Sequence, residues 1–197
     1  WAMHIIHHSS QRFSFAVALR QGWTKHFTGT TVLKVPLVLV GFDPLMVIFC
    51  GALNAVYQFF LHTETVDKMP RWFEAVFNTP SHHRVHHGKN PQYLDANYAG
   101  TLIIWDKLFG TFVAEDADDR PNYGLVNDFS HYNPFKIFIH EYWGIVKDVL
   151  RPGLTLSQRL CYIIAPPGWS HDGSRKTSLD IKRAAGVPHK KALAAGE

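Results

Sequence analysis

Cysteine is nearly missing: the chain of 197 residues has two, Cys50 and Cys161. Two thiols so far apart exclude a disulfide-stapled scaffold and any Cys-x-x-Cys zinc module. Charge is scarce too. Asp, Glu, Lys and Arg make up 18% of the residues, where ordinary soluble domains carry roughly 25%. The net charge of +4 is too small to point to a nucleic-acid partner. Several catalytic signatures are absent. His140-Glu141 is followed by Tyr142, Trp143 and Gly144, so there is no HExxH. There is no GxSxG, P-loop or GxGxxG either. No internal repeat is visible. The first residue is Trp1 rather than Met, without a signal-peptide pattern, and the expectation is a piece of something longer.

What is present is apolar and aromatic. Hydrophobic residues reach 46% and aromatic ones 14%, which excludes a disordered chain. The length allows one domain or two small ones. Val32 to Phe42 carries a single charge, Lys34, and Leu45 to Leu61 carries none. As a helix the second run reaches roughly 25 Å, just short of a bilayer's hydrocarbon core. Two readings follow. One is a buried core helix; the other is a membrane hairpin over 32–61 with Asp43-Pro44 at its turn. The mean hydropathy of −0.10 fits the cytosolic part of a membrane protein carrying one hydrophobic hairpin.

Further along, Thr79-Pro80 predicts a helix start and Gly88 its end. Glu115, Asp116, Asp118 and Asp119 predict a solvated acidic loop. Residues 135–150 have helical period, and Pro152-Gly153 ends them. Beyond Trp169 the chain is polar and basic (Arg175, Lys176, Lys182, Arg183, Lys190, Lys191). A flexible tail over 170–197, lying against anionic headgroups, is expected.

Histidine is the outlier, with 13 residues. His-x-x-His-His occurs twice, as His4, His7, His8 and as His83, His86, His87. The spacing i, i+3, i+4 puts three imidazoles on one helical face. Two such faces offer six nitrogen ligands. A structural zinc site needs four and usually includes Cys, so six imidazoles point to two metal ions. Imidazole alone leaves zinc, iron, copper and nickel open. A non-catalytic zinc scaffold and a dinuclear metallohydrolase therefore stand beside an oxygenase. His62 closes the hydrophobic run and joins the candidates, with Glu64 two residues on as a ligand or a partner to one. Asp95, Asn97 and Asp106 have two readings of equal standing: orienting ligand rings through their free N–H, or capping helices and forming turns. His82 falls outside the spacing.

Several ordered motifs resemble the sterol desaturase/fatty acid hydroxylase superfamily, in particular its alkylglycerol monooxygenase-like branch. They are Trp1-Ala-Met-His4-Ile-Ile-His7-His8-Ser9-Ser10, Phe60-Leu61-His62-Thr63-Glu64, Asn78-Thr-Pro-Ser-His-His83-Arg-Val-His86-His87-Gly88 and Trp105-Asp106-Lys-Leu-Phe109-Gly110. The resemblance covers about residues 1–125. It implies an all-α fold: a membrane-embedded helical bundle with a cytosolic helical cap that carries the histidine boxes, residues 1–169 being the C-terminal part of that domain. It implies a non-haem di-iron centre held by His4, His7, His8, His62, His83, His86 and His87, and O₂-dependent oxidation of a sterol, fatty acyl or ether lipid. An external electron donor is implied, tetrahydrobiopterin in the alkylglycerol branch. So is an integral place in the bacterial inner membrane or the endoplasmic reticulum, with the metal site facing the cytoplasm. The superfamily's earlier His-x-x-x-His box has no counterpart here. The expectation is that residues 1–197 alone bind metal incompletely and are inactive.

Overall fold

The computed structural model describes residues 2–22, 32–129 and 133–188. Trp1, His26, His131, His189, Lys190 and Lys191 lie outside the described residues. Among those described, the chain is helical with no strand. The helices are α1 (Ile5–His8), α2 (Phe15–Ala18), α3 (Val35–Leu39), α4 (Pro44–Leu61), α5 (Arg71–Val76), α6 (Pro80–His86), α7 (Ile104–Leu108), α8 (Pro134–Val149), α9 (Leu156–Ile164) and α10 (Ser178–Ala184). Two isolated antiparallel bridges, Phe77 to Leu102 and Gly88 to Tyr123, tie loops together.

Asp43 starts α4: its carboxylate accepts from the N–H groups of Leu45 (2.8 Å) and Met46 (3.1 Å), and Pro44 takes the first helical position. Among the described residues α4 is the one helix long and apolar enough to cross a membrane. Only 6% of that stretch is buried within the chain, so α4 is not a core helix of this domain. The hairpin partner is unequal. A short turn of helix at Val32–Lys34 and the five residues of α3 return through Gly41, whose φ of 103° suits glycine. A full helical bundle in a membrane is not what these elements make by themselves.

The last turns of α4 carry a polar stripe that fastens it to the rest. Asn54 accepts from the Thr101 hydroxyl (2.8 Å), and Tyr57 donates to the carbonyl of Asn78 (2.6 Å). Spaced three or four residues apart, these groups and Gln58 share one helical face.

α6 is polar yet buried. Asn78, Thr79, Ser81, His82, His83 and Arg84 are all almost inaccessible. The apolar core beside them is small, Val85, Tyr93 and Ala96 with Val113 against it. Thr79 holds the N-cap position, but its hydroxyl turns to Glu74 (3.1 Å) rather than capping. The acidic stretch is not wholly a solvated loop, as its composition suggested. Glu115 is buried and receives Arg84 through Nε (2.9 Å) and Nη2 (2.6 Å). Arg84 also donates to the carbonyls of Thr63 (3.1 Å), Val66 (2.6 Å) and Asp67 (2.6 Å). One guanidinium thus pins the segment after His62 against α6.

The expected loose tail is folded as far as residue 188. Arg175 forks onto buried Asp148 (2.6 and 2.9 Å), and Arg151 adds a third contact to that carboxylate (2.9 Å). Thr177 and Asp180 form a reciprocal cap on α10. α8 forms where its period predicts, but its apolar face is turned outward: Phe135, Ile139, Trp143 and Leu150 are exposed.

Arg84→Ala is expected to cost about 3–5 kcal/mol, because Glu115 would stay buried without its partner. Arg84→Lys should not restore it, since an ammonium cannot reproduce the fork and three carbonyl contacts. Thermal or denaturant unfolding measures both, and a cost below about 1 kcal/mol would contradict this role.

Candidate metal centre

Three separate segments supply seven histidines. His4 caps α1, which carries His7 and His8. His62 follows the last turn of α4. His83 and His86 lie on α6, and His87 ends it. The fold gathers these into two groups. His7, His62, His83 and His87 are buried together; His4, His8 and His86 form a more open trio. In each group the potential ligand nitrogens lie within 4.8 Å of one another.

Their tautomers follow from their neighbours. His7 Nδ1 lies 3.0 Å from the carbonyl of Val17, His62 Nδ1 2.7 Å from that of Gln58, and His86 Nδ1 3.2 Å from that of Ala96. A carbonyl only accepts, so each Nδ1 carries the proton and each Nε2 presents a lone pair. Yet His7 Nε2 and His62 Nε2 are 3.0 Å apart. Two lone pairs at that distance repel, unless a cation lies between them. His83 Nε2 is 3.1 Å from His62 Nε2, and His4 Nε2 is 3.4 Å from His86 Nε2. With metal–nitrogen bonds of about 2.1 Å, two imidazoles on one ion are separated by roughly 3.0–3.4 Å. His87 Nε2 is moreover buried without a hydrogen-bond partner. The residues fit metal ions.

Protons do not take the metal's place at neutral pH. Burial and the neighbouring His4, His62 and His86 push His7 down to about 3. Burial first and the surrounding imidazoles second hold His8, His83 and His87 well below the ordinary histidine value.

The buried group is sealed by Phe13, which stacks on His62 (centroids 5.4 Å apart) and meets His87 edge-on (5.1 Å). Of the polar side chains expected near the rings, Asn97 and Asp106 take the turn-forming role and Glu64 contacts a tyrosine. Glu64 accepts from Tyr123 (3.2 Å), whose ring stacks on Phe13. Asn97 clips the carbonyls of His82 (3.0 Å) and Val113 (2.8 Å). Asp106 accepts from the N–H groups of Tyr98 and Ala99, both at 2.8 Å. Asp95 is exposed, with a φ of 48°. Backbone carbonyls of Val17, Gln58 and Ala96 orient the rings instead, and no side-chain type announces them in a sequence. His82 sits 3.9 Å from Glu74 and edge-on to Phe112, beside a cavity of about 240 Å³ that it shares with Lys107. A larger cavity of about 860 Å³ opens on His4, His8 and His86.

The fatty acid hydroxylase family model matches residues 1–111. The chain belongs to that family. It is 40% identical over 179 residues to alkylglycerol monooxygenase of Caenorhabditis elegans, covering 86% of this chain and 34% of that protein. Against alkylglycerol monooxygenase of Homo sapiens it is 39% identical over 170 residues, 86% of this chain and 37% of the other. Against ornithine lipid hydroxylase OlsE of Rhizobium tropici it is 31% identical over 112 residues, 57% of this chain and 34% of the other. The chain thus spans little more than a third of these relatives. No solved structure matches it. All seven candidate histidines lie within the matched residues, and α8, α9 and α10 lie beyond them.

With metal removed, the protein is expected to lose thermal stability as pH falls from 7 to 5. The unfolded chain takes up protons near 6.5, while His7, His8, His83 and His87 stay neutral in the fold until far lower. Protons therefore favour unfolding below about 6.5, and the stability is intact above it. Melting temperatures of chelator-treated protein across that range test this; a flat or rising profile on acidification would contradict it.

Proposed function

We propose that this chain is the histidine-bearing part of an O₂-dependent lipid monooxygenase with two non-haem irons. His7, His62, His83 and His87 would hold one ion and His4, His8 and His86 the other. The observation that carries this reading is the pair of Nε2 lone pairs of His7 and His62, facing each other at 3.0 Å while both Nδ1 protons are committed to carbonyls. The names of the relatives supply the chemistry, and alkylglycerols are the first substrates to test. Bound iron would supply reduction of O₂ and oxidation of an unactivated C–H bond. One oxygen atom would go to the carbon and the other leave as water, with an external donor of the tetrahydropterin class providing the two electrons and two protons and leaving as the dihydropterin.

The chain's own residues do the rest. The carbonyls of Val17, Gln58 and Ala96 hold three imidazoles in the neutral, metal-ready tautomer. Phe13 keeps water from the buried group. The open trio faces the cavity from which a lipid carbon can approach. In this reading α4 enters the bilayer, supported by its exposed apolar surface, and the metal site lies at its C-terminal end on the cytoplasmic side.

In the full-length protein His7→Ala and His86→Ala should each lower alkylglycerol turnover more than about 100-fold, beyond the usual effect of losing a group that merely supports a ligand. Coupled O₂ uptake and product formation measure it. Full activity in either variant would remove that residue from the ligand set. Zinc alone, with no O₂ uptake, would favour a zinc scaffold or a dinuclear hydrolase.

A further inference from the structure

The cavity of about 860 Å³ is within the size range of small-molecule sites. One side is the open histidine trio. The other is built by α8, α9, α10 and the loop before Trp169, all outside the residues that match the family model. Ile5, Leu94, Val126, Ile145, Tyr162 and Trp169 make much of the lining apolar. Several ionic groups at the wall are paired. Asp148 holds Arg175 and Arg151, and Glu141 lies 3.2 Å from His140. An apolar chain suits this lining better than a charged headgroup.

Gly144 stands in the middle of α8, facing this cavity. Glycine is a poor helix residue, and no positive φ requires it here. A Cβ at Gly144 would meet nothing within 4 Å among the described residues, so close packing does not require it either. What its missing side chain leaves is room in the cavity.

We propose that the C-terminal helices form the wall of a chamber for the lipid's alkyl chain, and that Gly144 determines how long a chain the chamber accepts. This rests on the lipid monooxygenase reading. The test uses the full-length protein and its Gly144→Ala and Gly144→Leu variants. Both should keep wild-type metal content and a melting temperature no lower than wild type, since space is open and helix propensity improves. Gly144→Leu should shift the kcat/KM preference between long- and short-chain 1-O-alkylglycerols roughly tenfold toward the short chain, with Gly144→Ala in between. An unchanged preference in a metal-replete Gly144→Leu variant would overturn the proposal.

A binding measurement separates this from the activity itself. A brominated long-chain alkylglycerol should quench tryptophan fluorescence in the wild type, less in Trp169→Phe and less in Gly144→Leu. Such quenching without turnover would sink the monooxygenase reading and leave the chamber standing. Equal quenching in all three proteins, or none in any, would overturn the chamber.

Discussion

Seven imidazoles packed into one small volume cannot all be protonated, and their lone pairs cannot all face one another without something between them. The interior is organised around this constraint. His7 and His62 spend their Nδ1 protons on carbonyls and turn their Nε2 atoms to the same point. Burial removes the option of charging the rings. A metal ion at that point would satisfy the centre, and the rings fall into two groups, of four and of three, each with the geometry to hold one. Holding them there takes long-range fasteners. Arg84 and Glu115 fix the segment after His62 to α6, and Asn97 and Asp106 shape the loop that offers Ala96's carbonyl to His86.

The same constraint accounts for the inverted distribution of polarity. Among the described residues, buried polar and charged side chains outnumber buried apolar ones, while Leu45, Trp72, Phe135 and Leu150 lie outside. A water-soluble domain of this size would bury such groups at about 25 cal/mol per Å². On α4 the exposure of Leu45, Ile48, Phe49 and Leu53 agrees with a helix whose surroundings are lipid, and its polar stripe of Asn54, Tyr57 and Gln58 marks where that helix meets the histidine-bearing part.

Much of the site was legible in the sequence because its chemistry is local. The i, i+3, i+4 spacing put His4, His7 and His8 on one turn and His83, His86 and His87 on another, and His62 stood out as the end of an uncharged run. All seven converge. What stayed hidden depends on partners far along the chain. Glu115 looks solvated beside Asp116 and Asp118 until Arg84 is brought to it. Segment 170–188 looks loose until Arg175 finds Asp148, 27 residues away. Carbonyl partners such as those of Val17 and Ala96 leave no trace in side-chain types. The period of α8 predicted the helix but not that its apolar face would point outward.

Anomalous scattering at the iron edge, from crystals of the iron-loaded full-length protein, tests the two-centre arrangement most directly. Two peaks are expected, one enclosed by His7, His62, His83 and His87 and the other beside His4, His8 and His86. A single peak, or none with the Nε2 atoms of His7 and His62 still 3.0 Å apart, would contradict it.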